Sequence, residues 1–160
     1  YESGHPALNF TEFALDDVFM ANHYTYTKLV NPEVEIIFER KEEQDYIATT
    51  DMKLVSQVLS NLLSNAQKFT EKGYIHFGYR PTGNGILAYV NDSGSGIPAY
   101  LQPYIFDRFT KADNYSRGMG LGLFISKEIV SLLGGEIGMS SEEGNGSLFW
   151  FKVPCQLRIA

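Results

Sequence analysis

Cysteine is almost absent from this chain, since Cys155 is the only one among 160 residues. A single cysteine is typical of a reducing compartment rather than of a disulfide-rich secreted domain. The sequence also lacks a charged-then-apolar leader and any apolar run near the roughly 18 residues that a membrane-spanning helix needs. These absences predict a soluble, cytoplasmic domain that does not itself enter a membrane, whether or not its parent protein is anchored in one.

Basic residues are outnumbered, with 13 Lys and Arg against 19 Asp and Glu and a formal net charge of −6. No basic stripe with interleaved aromatic residues is present, so nucleic acid is not an expected partner. The average field of such a protein repels phosphorylated ligands. A ligand of that kind therefore needs a concentrated site, where local donors and a metal ion overcome the field.

Repeats, low-complexity tracts and long linkers are missing as well, so we expect one domain over residues 1–160, with 1–7 as a tail or linker. Periodicity predicts three helices, at 16–30, 51–69 and 121–133. Asp51 is the expected N-cap of the second helix. Alternation and turn residues predict strands that begin or lie within 8–15, 34–40, 45–50, 74–80, 86–92, 136–141 and 147–153. Helices interleaved with hairpins indicate an α+β fold, a two-layer sandwich in which helices cover one face of a mostly antiparallel mixed sheet.

A polar stripe runs along the second predicted helix in "NLLSNAQKFT", residues 61–70. At about 100° per residue, Asn61, Asn65 and Lys68 share one edge of the helix, apart from its apolar face. A solvated face is one interpretation, but such faces normally use Glu, Lys and Gln, and asparagine is a poor helix former. The side-chain carbonyl oxygen of asparagine suits Mg²⁺, and a lysine one turn further on can reach a phosphate.

The segment "NDSGSGIP", residues 91–98, follows a predicted strand and places Asp92 just before Gly94 and Gly96. An ordinary turn accounts for these residue types. As a ligand site, the loop offers glycines that let the backbone approach a flat ring, and an ionised Asp92 that accepts a hydrogen bond from the exocyclic amine of adenine. Guanine presents an acceptor at that place, and unpaired buried acceptors cost about 1–3 kcal/mol, so the loop favours ATP over GTP.

A second glycine-rich segment, "RGMGLGLFIS" at residues 117–126, leads directly into the third predicted helix. Gly118, Gly120 and Gly122 would expose backbone N–H groups at the positive end of the helix dipole, which suits phosphate oxygens. The spacing differs from that of a dinucleotide-binding loop, and the Lys-Ser/Thr pair of a Walker loop is missing.

Between these segments lies "YIFDRFTKADNYS", residues 104–116. We expect Phe106 and Phe109 to be apolar anchors at the ends of a mobile stretch, with Arg108 and Lys111 as cations. A small satellite core built by the same aromatic residues is compatible with this interpretation.

Five segments, taken in this order, resemble the catalytic and ATP-binding domain of bacterial sensor histidine kinases, part of the GHKL superfamily. They are "NLLSNAQKFT", "NDSGSGIP", "IFDRF", "GMGLGL" and the closing "GGEIGMSSEEGNGSLFWFKVP". The resemblance covers about residues 8–154. It implies the GHKL ATP-binding fold, binding of ATP with Mg²⁺, and transfer of the γ-phosphoryl group to a histidine in two-component signalling.

The resemblance also assigns roles by matching position. Asn61, Asn65 and Lys68 would be catalytic, and Asn65, together with Asn61, would hold Mg²⁺. Asp92 would read adenine, and Ser147 would lie near the purine. The full set that it assigns to ATP binding is Asn61, Asn65, Lys68, Phe69, Asp92, Gly94, Gly96, Ile97, Phe109, Lys111, Gly118, Met119, Gly120, Leu121, Gly122, Leu123 and Ser147.

Two features depart from the family pattern. In relatives that hydrolyse ATP, such as gyrase, a glutamate one helical turn before the metal-binding asparagine activates water, and Asn61 stands at that place here. Without a base for water, transfer to another acceptor is favoured. The stretch 110–117 is short for the family's ATP lid. The resemblance therefore does not assign the contacts of the lid, including any made by Arg117.

An acceptor histidine is missing, because His5, His23 and His76 all lie outside the family's H-[ED]-x-x-x-P pattern. The resemblance therefore implies two partners, a phosphoacceptor helical hairpin of the same parent protein and a response-regulator receiver domain. The alternatives are another GHKL ATPase, an anti-sigma-type serine kinase, or a catalytically silent interaction module. Steady phosphate release would indicate another ATPase, and phosphate on a partner's serine would indicate a serine kinase. Partner binding that does not depend on nucleotide would indicate an interaction module.

Overall fold

The computed structural model describes residues 7–29, 31–41, 43–109, 115 and 122–160. In chain order, its helices and strands are β1 (Thr11–Ala14), α1 (Leu15–Leu29), β2 (Val34–Phe38), β3 (Tyr46–Thr50), α2 (Met52–Phe69), β4 (Gly73–Pro81), β5 (Gly85–Asp92), α3 (Phe124–Leu132), β6 (Glu136–Ser141), β7 (Ser147–Pro154) and β8 (Gln156–Ile159). A short 3₁₀ turn spans Gln102–Tyr104. None of the helices in the described ranges is both long and apolar enough to cross a membrane.

Five strands form the larger sheet, in the order β2-β4-β5-β7-β6. β2 pairs with β4 in parallel, and the other neighbours are antiparallel. Along β5, Ile86, Ala88 and Val90 are buried while the residues between them are partly exposed, so one face of the sheet is covered. The helices pack on that face, and the core lies between the two layers. The predicted α+β class and helix-covered mixed sheet are confirmed.

The sequence predicts a single sheet, but a second one is present, with three antiparallel strands in the order β1-β3-β8. β2 and β3 follow each other in sequence, yet they belong to different sheets. Alternating side chains indicate which residues face a core, but they do not specify which strand is the partner. β8 also lies beyond the predicted strands, so nothing in the sequence pattern indicates its pairing with β3.

Asp51 forms the N-cap of α2, as the sequence predicts. One of its carboxylate oxygens accepts the N–H of Leu54 at 3.1 Å, and the other accepts the N–H of Asn9 at 2.9 Å. The same side chain therefore satisfies a free donor of the first helical turn and holds the segment before β1.

We expect Asp51→Ala to lower the free energy of unfolding by about 1–2 kcal/mol, because both acceptor oxygens are lost. Urea denaturation followed by circular dichroism measures this. Asp51→Asn keeps an acceptor for Leu54 and should lose less. Lys53→Ala, at an exposed site in the same turn, should change stability by less than about 0.5 kcal/mol. Equal stabilities of the Asp51→Ala and Lys53→Ala variants would contradict the capping role.

Candidate functional site

The polar edge of α2 leads from a contact with α3 to the solvent. Asn61 is partly buried, and its Nδ2 donates to Ser126 Oγ of α3 at 2.9 Å. Asn65, one turn further on, is buried with 4% of its surface exposed. Lys68, in the last turn, is exposed. The long helix and the placement of these side chains along it agree with the helical periodicity.

The amide nitrogen of Asn65 is buried without a hydrogen-bond partner among the described residues. Leaving such a group unpaired costs about 1–3 kcal/mol, and a bound ligand is one physical reason to retain it. The two ends of an amide are assigned from their hydrogen bonds. An amide without them can therefore present either its oxygen or its NH₂ group to a ligand.

Asp92 ends β5 and lies opposite Ser147 of β7 in the antiparallel register. Its side chain is buried, and Oδ1 accepts the N–H of Gly94 at 2.9 Å. Burial raises the pKa of Asp92 to about 6, against the opposing effects of the N–H groups of Gly94 and Ser147 and the nearby hydroxyl of Thr70. The carboxyl group is therefore ionised at neutral pH but titrates just below it.

The loop after β5 packs closely on the C-terminal end of α2. Ser95 donates its N–H to Phe69 O at 3.1 Å. A Cβ atom on Gly94 would lie 2.4 Å from Phe69 O and 2.8 Å from Thr70 Oγ1, so this close approach requires glycine. Thr70 Oγ1 is buried there without a well-formed hydrogen bond. The contact brings Asp92 next to the end of the helix that carries the buried asparagine.

A hydrogen-bond network around Ser141 holds two of the predicted site residues. Ser141 Oγ accepts the N–H of Ile97 at 2.9 Å, donates to Gly146 O at 3.0 Å and lies 2.9 Å from Ser147 Oγ. Gln102 Nε2 donates to Ile97 O at 2.9 Å and to Ser141 O at 3.1 Å. Sequence reasoning misses Ser141 and Gln102. The only signal for Ser141 is its place inside the closing motif, and Gln102 has none.

α3 begins at Phe124, three residues later than predicted. Gly122 has a φ of 115°, which is outside the helical region, and the N-cap residue Leu123 makes no side-chain hydrogen bond. The first N–H groups of α3 therefore have no side-chain cap, and the positive end of the helix dipole lies there. The remaining predicted phosphate-loop and lid residues lie outside the described residues, namely Lys111, Arg117, Gly118, Met119, Gly120 and Leu121.

The two predicted aromatic anchors differ. Phe106 packs edge-on against a phenylalanine of β7, with ring centroids 6.4 Å apart, as expected of an anchor. The anchor predicted at Phe109 is wrong, since its side chain is 84% exposed and meets the guanidinium of Arg108, 4.7 Å from the ring centroid. Its φ of 59° is a left-handed conformation that residue spacing does not reveal. Tyr115, which sequence reasoning misses, stacks on Phe69 with centroids 6.4 Å apart.

The described histidines lie in regular elements and make local contacts, as their sequence context predicts. His23 is in α1, with Nε2 3.0 Å from Ile36 O. His76 is in β4, where its ring lies 3.8 Å from carboxylates of Glu35 and Glu39. His5 lies outside the described residues.

Three groups suited to binding a ligand lie along one side of α2. They are the carboxylate of Asp92, the amide nitrogen of Asn65, which has no partner among the described residues, and the N-terminus of α3, which has no side-chain cap among them. An amide oxygen suits Mg²⁺. The described part of the chain contains no group of three or more His, Cys, Asp or Glu side chains that could hold a metal ion. A Mg²⁺ ion here would need further oxygen ligands from a bound phosphate and water, which is its usual coordination in nucleotide sites. The donor set therefore fits the ion.

Residues 50–157 match the protein family described as histidine kinase-, DNA gyrase B-, and HSP90-like ATPase. The sensor histidine kinase AruS of Pseudomonas aeruginosa is 45% identical in an alignment 114 positions long, which covers 66% of this chain and 11% of AruS. The sensor protein TorS of Escherichia coli is 40% identical over 110 residues, 69% of this chain and 12% of TorS. The chain thus spans only a small part of the length of these relatives.

Solved structures of histidine kinases share the fold. Full-length ShkA in complex with AMPPNP aligns with a TM-score of 0.82 and 25% identity over 98% of this chain and 33% of ShkA. The nucleotide-free catalytic domain of ThkA aligns with a TM-score of 0.79 and 30% identity over 91% of this chain and 95% of that domain. ThkA in complex with the response regulator TrrA aligns with a TM-score of 0.77 and 28% identity over 93% of this chain and 42% of ThkA.

Proposed function

This chain belongs to the family of histidine kinase-, DNA gyrase B-, and HSP90-like ATPases, and from this premise we propose that it is the ATP-binding catalytic domain of a two-component sensor histidine kinase. It binds Mg-ATP and passes the γ-phosphoryl group to a histidine on a helical hairpin of its parent protein. The observation that carries the proposal is the buried, unpaired amide of Asn65, which lies on α2 between the carboxylate of Asp92 and the uncapped start of α3.

Adenine is bound at the Asp92 end of the site. The ionised carboxyl accepts the exocyclic amine, while Ser147 and the buried hydroxyl of Thr70 complete a polar wall around it. The Ser141 network fixes Ile97 and the Ser147 side chain before any ligand arrives. A preformed pocket of this kind reduces the entropic cost of binding.

Phosphates are bound further along the same side of α2, beside Asn65 and towards the start of α3. The carbonyl oxygen of Asn65, with that of Asn61, would hold Mg²⁺, which neutralises charge on the transferred group. The N–H groups of the first turn of α3 and the exposed ammonium of Lys68 receive the phosphate oxygens. The Asn61 amide is engaged by Ser126 and cannot act as a base for water, which favours transfer over hydrolysis.

The partners are the phosphoacceptor hairpin and, after it, a response-regulator receiver domain in the cytoplasm. The structure of ThkA with the response regulator TrrA supports this assignment by similarity. Neither described histidine lies in an acceptor pattern, so the hairpin must supply the reacting imidazole. Phosphoryl transfer depends mainly on positioning and charge stabilisation, so this chain alone should bind nucleotide but turn it over slowly.

The direct test mixes this chain with Mg-ATP and a hairpin fragment encoded by the preceding part of the parent gene. We expect an acid-labile, base-stable phosphate on the hairpin, and saturable binding of Mg-ATP by the chain alone in calorimetry. Steady phosphate release without labelling of the hairpin would favour another ATPase of the same family. Absence of Mg-ATP binding would refute the proposal.

Nucleotide binding should depend on pH through Asp92. The ionised carboxyl is a stronger acceptor for the adenine amine than the protonated acid, so ADP affinity should be constant above pH 7 and fall as the pH drops through the Asp92 pKa of about 6. Below that value the affinity should fall by at most about tenfold per pH unit, the limit for a single titrating group. Calorimetry at several pH values, with pyrophosphate as a ligand that lacks adenine, separates this effect from titration of the phosphates. Equal pH profiles for ADP and pyrophosphate would contradict the role of Asp92.

A further inference from the structure

The face of the larger sheet that points away from the helices carries an apolar groove. Side chains alternate along β5 and β7, so Asp92 and Ser147 face the helices while the residues of the opposite set face outward. The groove has a volume of about 530 Å³, and its apolar lining consists of Leu87, Tyr89, Leu148 and Trp150. These side chains are all partly exposed. Contiguous apolar surface of this kind is unusual for a face that only meets water.

The two aromatic side chains of the groove lean apart. Tyr89 and Trp150 are direct cross-strand partners, a position at which aromatic rings usually pack on each other, yet each side chain lies towards the neighbouring strand on its own side. Each instead covers a glycine on the neighbouring strand. A Cβ atom would lie 2.9 Å from Tyr89 Oη at Gly78 and 2.3 Å from the Trp150 ring at Gly138. The Tyr89 hydroxyl also donates to Glu39 at 2.7 Å, so its ring is held away from Trp150.

The described lining of this groove carries three cations, Lys41, Arg80 and Lys152, and one carboxylate, although the chain as a whole has a net charge of −6. The ammonium of Lys41 lies 5.3 Å from the Tyr89 ring centroid, and that of Lys152 lies 5.6 Å from the Trp150 ring centroid. Arg80 is exposed and forms no ion pair with any described residue. Among the described lining residues Glu39 is the one carboxylate, and it is already engaged by the Tyr89 hydroxyl and by Lys41 at 3.8 Å. Glu136, the cross-strand partner of Lys152, lies just outside the lining.

We propose that this groove docks an acidic segment of another protein that carries a large apolar side chain. The apolar side chain enters between Tyr89 and Trp150, and the carboxylates meet Arg80, Lys152 and Lys41. A second copy of this chain fits poorly, because a two-fold contact through the same face would bring two patches with the same excess of cations together. The groove lies on the opposite face of the sheet from Asp92, so docking is independent of the proposed nucleotide site and extends beyond it.

Trp150 is the only tryptophan in the chain, so its fluorescence reports directly on the groove. The probe is a capped peptide of eight residues, with Asp and Glu on both sides of one central Phe. We expect a saturable change in Trp150 emission that weakens as salt is added. Control peptides in which Lys replaces the acidic residues, or Ala replaces Phe, should cause a much smaller change.

Charge-reversal variants keep the reporter and test the site. Arg80→Glu and Lys152→Glu should each weaken binding of the acidic peptide by about tenfold at low salt. Lys53→Glu makes the same change in net charge on the helix-covered side and should leave peptide binding unchanged. ADP affinity, measured in parallel, should be equal in all these variants, which shows that they fold and separates this proposal from the nucleotide site.

Three results would overturn the proposal. One is an unchanged emission spectrum at saturating peptide concentrations. Another is equal affinity for the acidic peptide in Arg80→Glu, Lys152→Glu and the parent chain. The third is self-association of the chain in sedimentation experiments that Arg80→Glu abolishes, because the occupant would then be a second copy.

Discussion

Replacing Asn65 by alanine is expected to reduce Mg²⁺-dependent phosphoryl transfer to the hairpin by about 10²–10³-fold, because the amide oxygen that would hold the ion is lost. Binding of ADP without Mg²⁺ should change little. The free energy of unfolding should not fall by more than about 1 kcal/mol, since the buried amide nitrogen has no partner among the described residues to lose. Single-turnover transfer with labelled ATP and urea denaturation measure the two effects.

Asn22 provides a matched control, because it is also a buried helical asparagine but its amide nitrogen is hydrogen-bonded. Its Nδ2 donates to Val18 O at 2.9 Å and lies 3.2 Å from Ser56 Oγ. Asn22→Ala should lose about 1–2 kcal/mol of stability and keep phosphoryl transfer. The two variants should therefore show opposite patterns. If Asn65→Ala behaved like Asn22→Ala, the role of Asn65 would be structural.

Asp92→Asn should weaken ADP binding by about 100-fold. The asparagine amide is neutral, and if its oxygen accepts the adenine amine, its NH₂ group must point towards other hydrogen-bond donors. Pyrophosphate affinity should remain, because the phosphate end of the site is untouched. Calorimetry with both ligands measures the difference. Equal losses for ADP and pyrophosphate would show that the substitution disturbs the fold rather than the recognition of the base.

The same substitution should stabilise the unliganded domain at neutral pH. The folded pKa of Asp92, about 6, lies above its ordinary value of 3.8, so its contribution to stability is present below the ordinary value and is lost as the pH rises through 6. That difference in pKa corresponds to about 3 kcal/mol at pH 7. Asp92→Asn should therefore unfold at higher urea concentration at pH 7, by up to this amount. A variant less stable than the parent at pH 7 would contradict this account.

The sequence predicts the parts of this protein that depend on local pattern. A helix of 18 residues with an N-cap at Asp51 follows from period and capping, and the edge shared by Asn61 and Asn65 follows from the rise and turn of an α-helix. The strand pair β4 and β5 follows from alternation and turn residues. These features require no knowledge of the rest of the chain.

Features that depend on distant parts of the chain are harder to predict. β3 pairs with β8, more than a hundred residues later, and no local property of either strand specifies the other. Ser141 holds Ile97 through a contact between segments 44 residues apart. At Phe109 composition alone marks a buried side chain, whereas the residue has a left-handed backbone and an exposed ring that residue spacing does not reveal.

β5 pairs with β7 through eight consecutive residues, from Gly85 to Asp92. Deleting one residue inside that stretch would invert every following side chain, turning the carboxyl group outward and a groove aromatic inward. Such a change would damage both surfaces at once, whereas an insertion in the preceding turn, at 82–84, would leave both intact. The number of residues in β5 and β7 therefore tolerates little change, and insertions and deletions in natural variants should be confined to the turns.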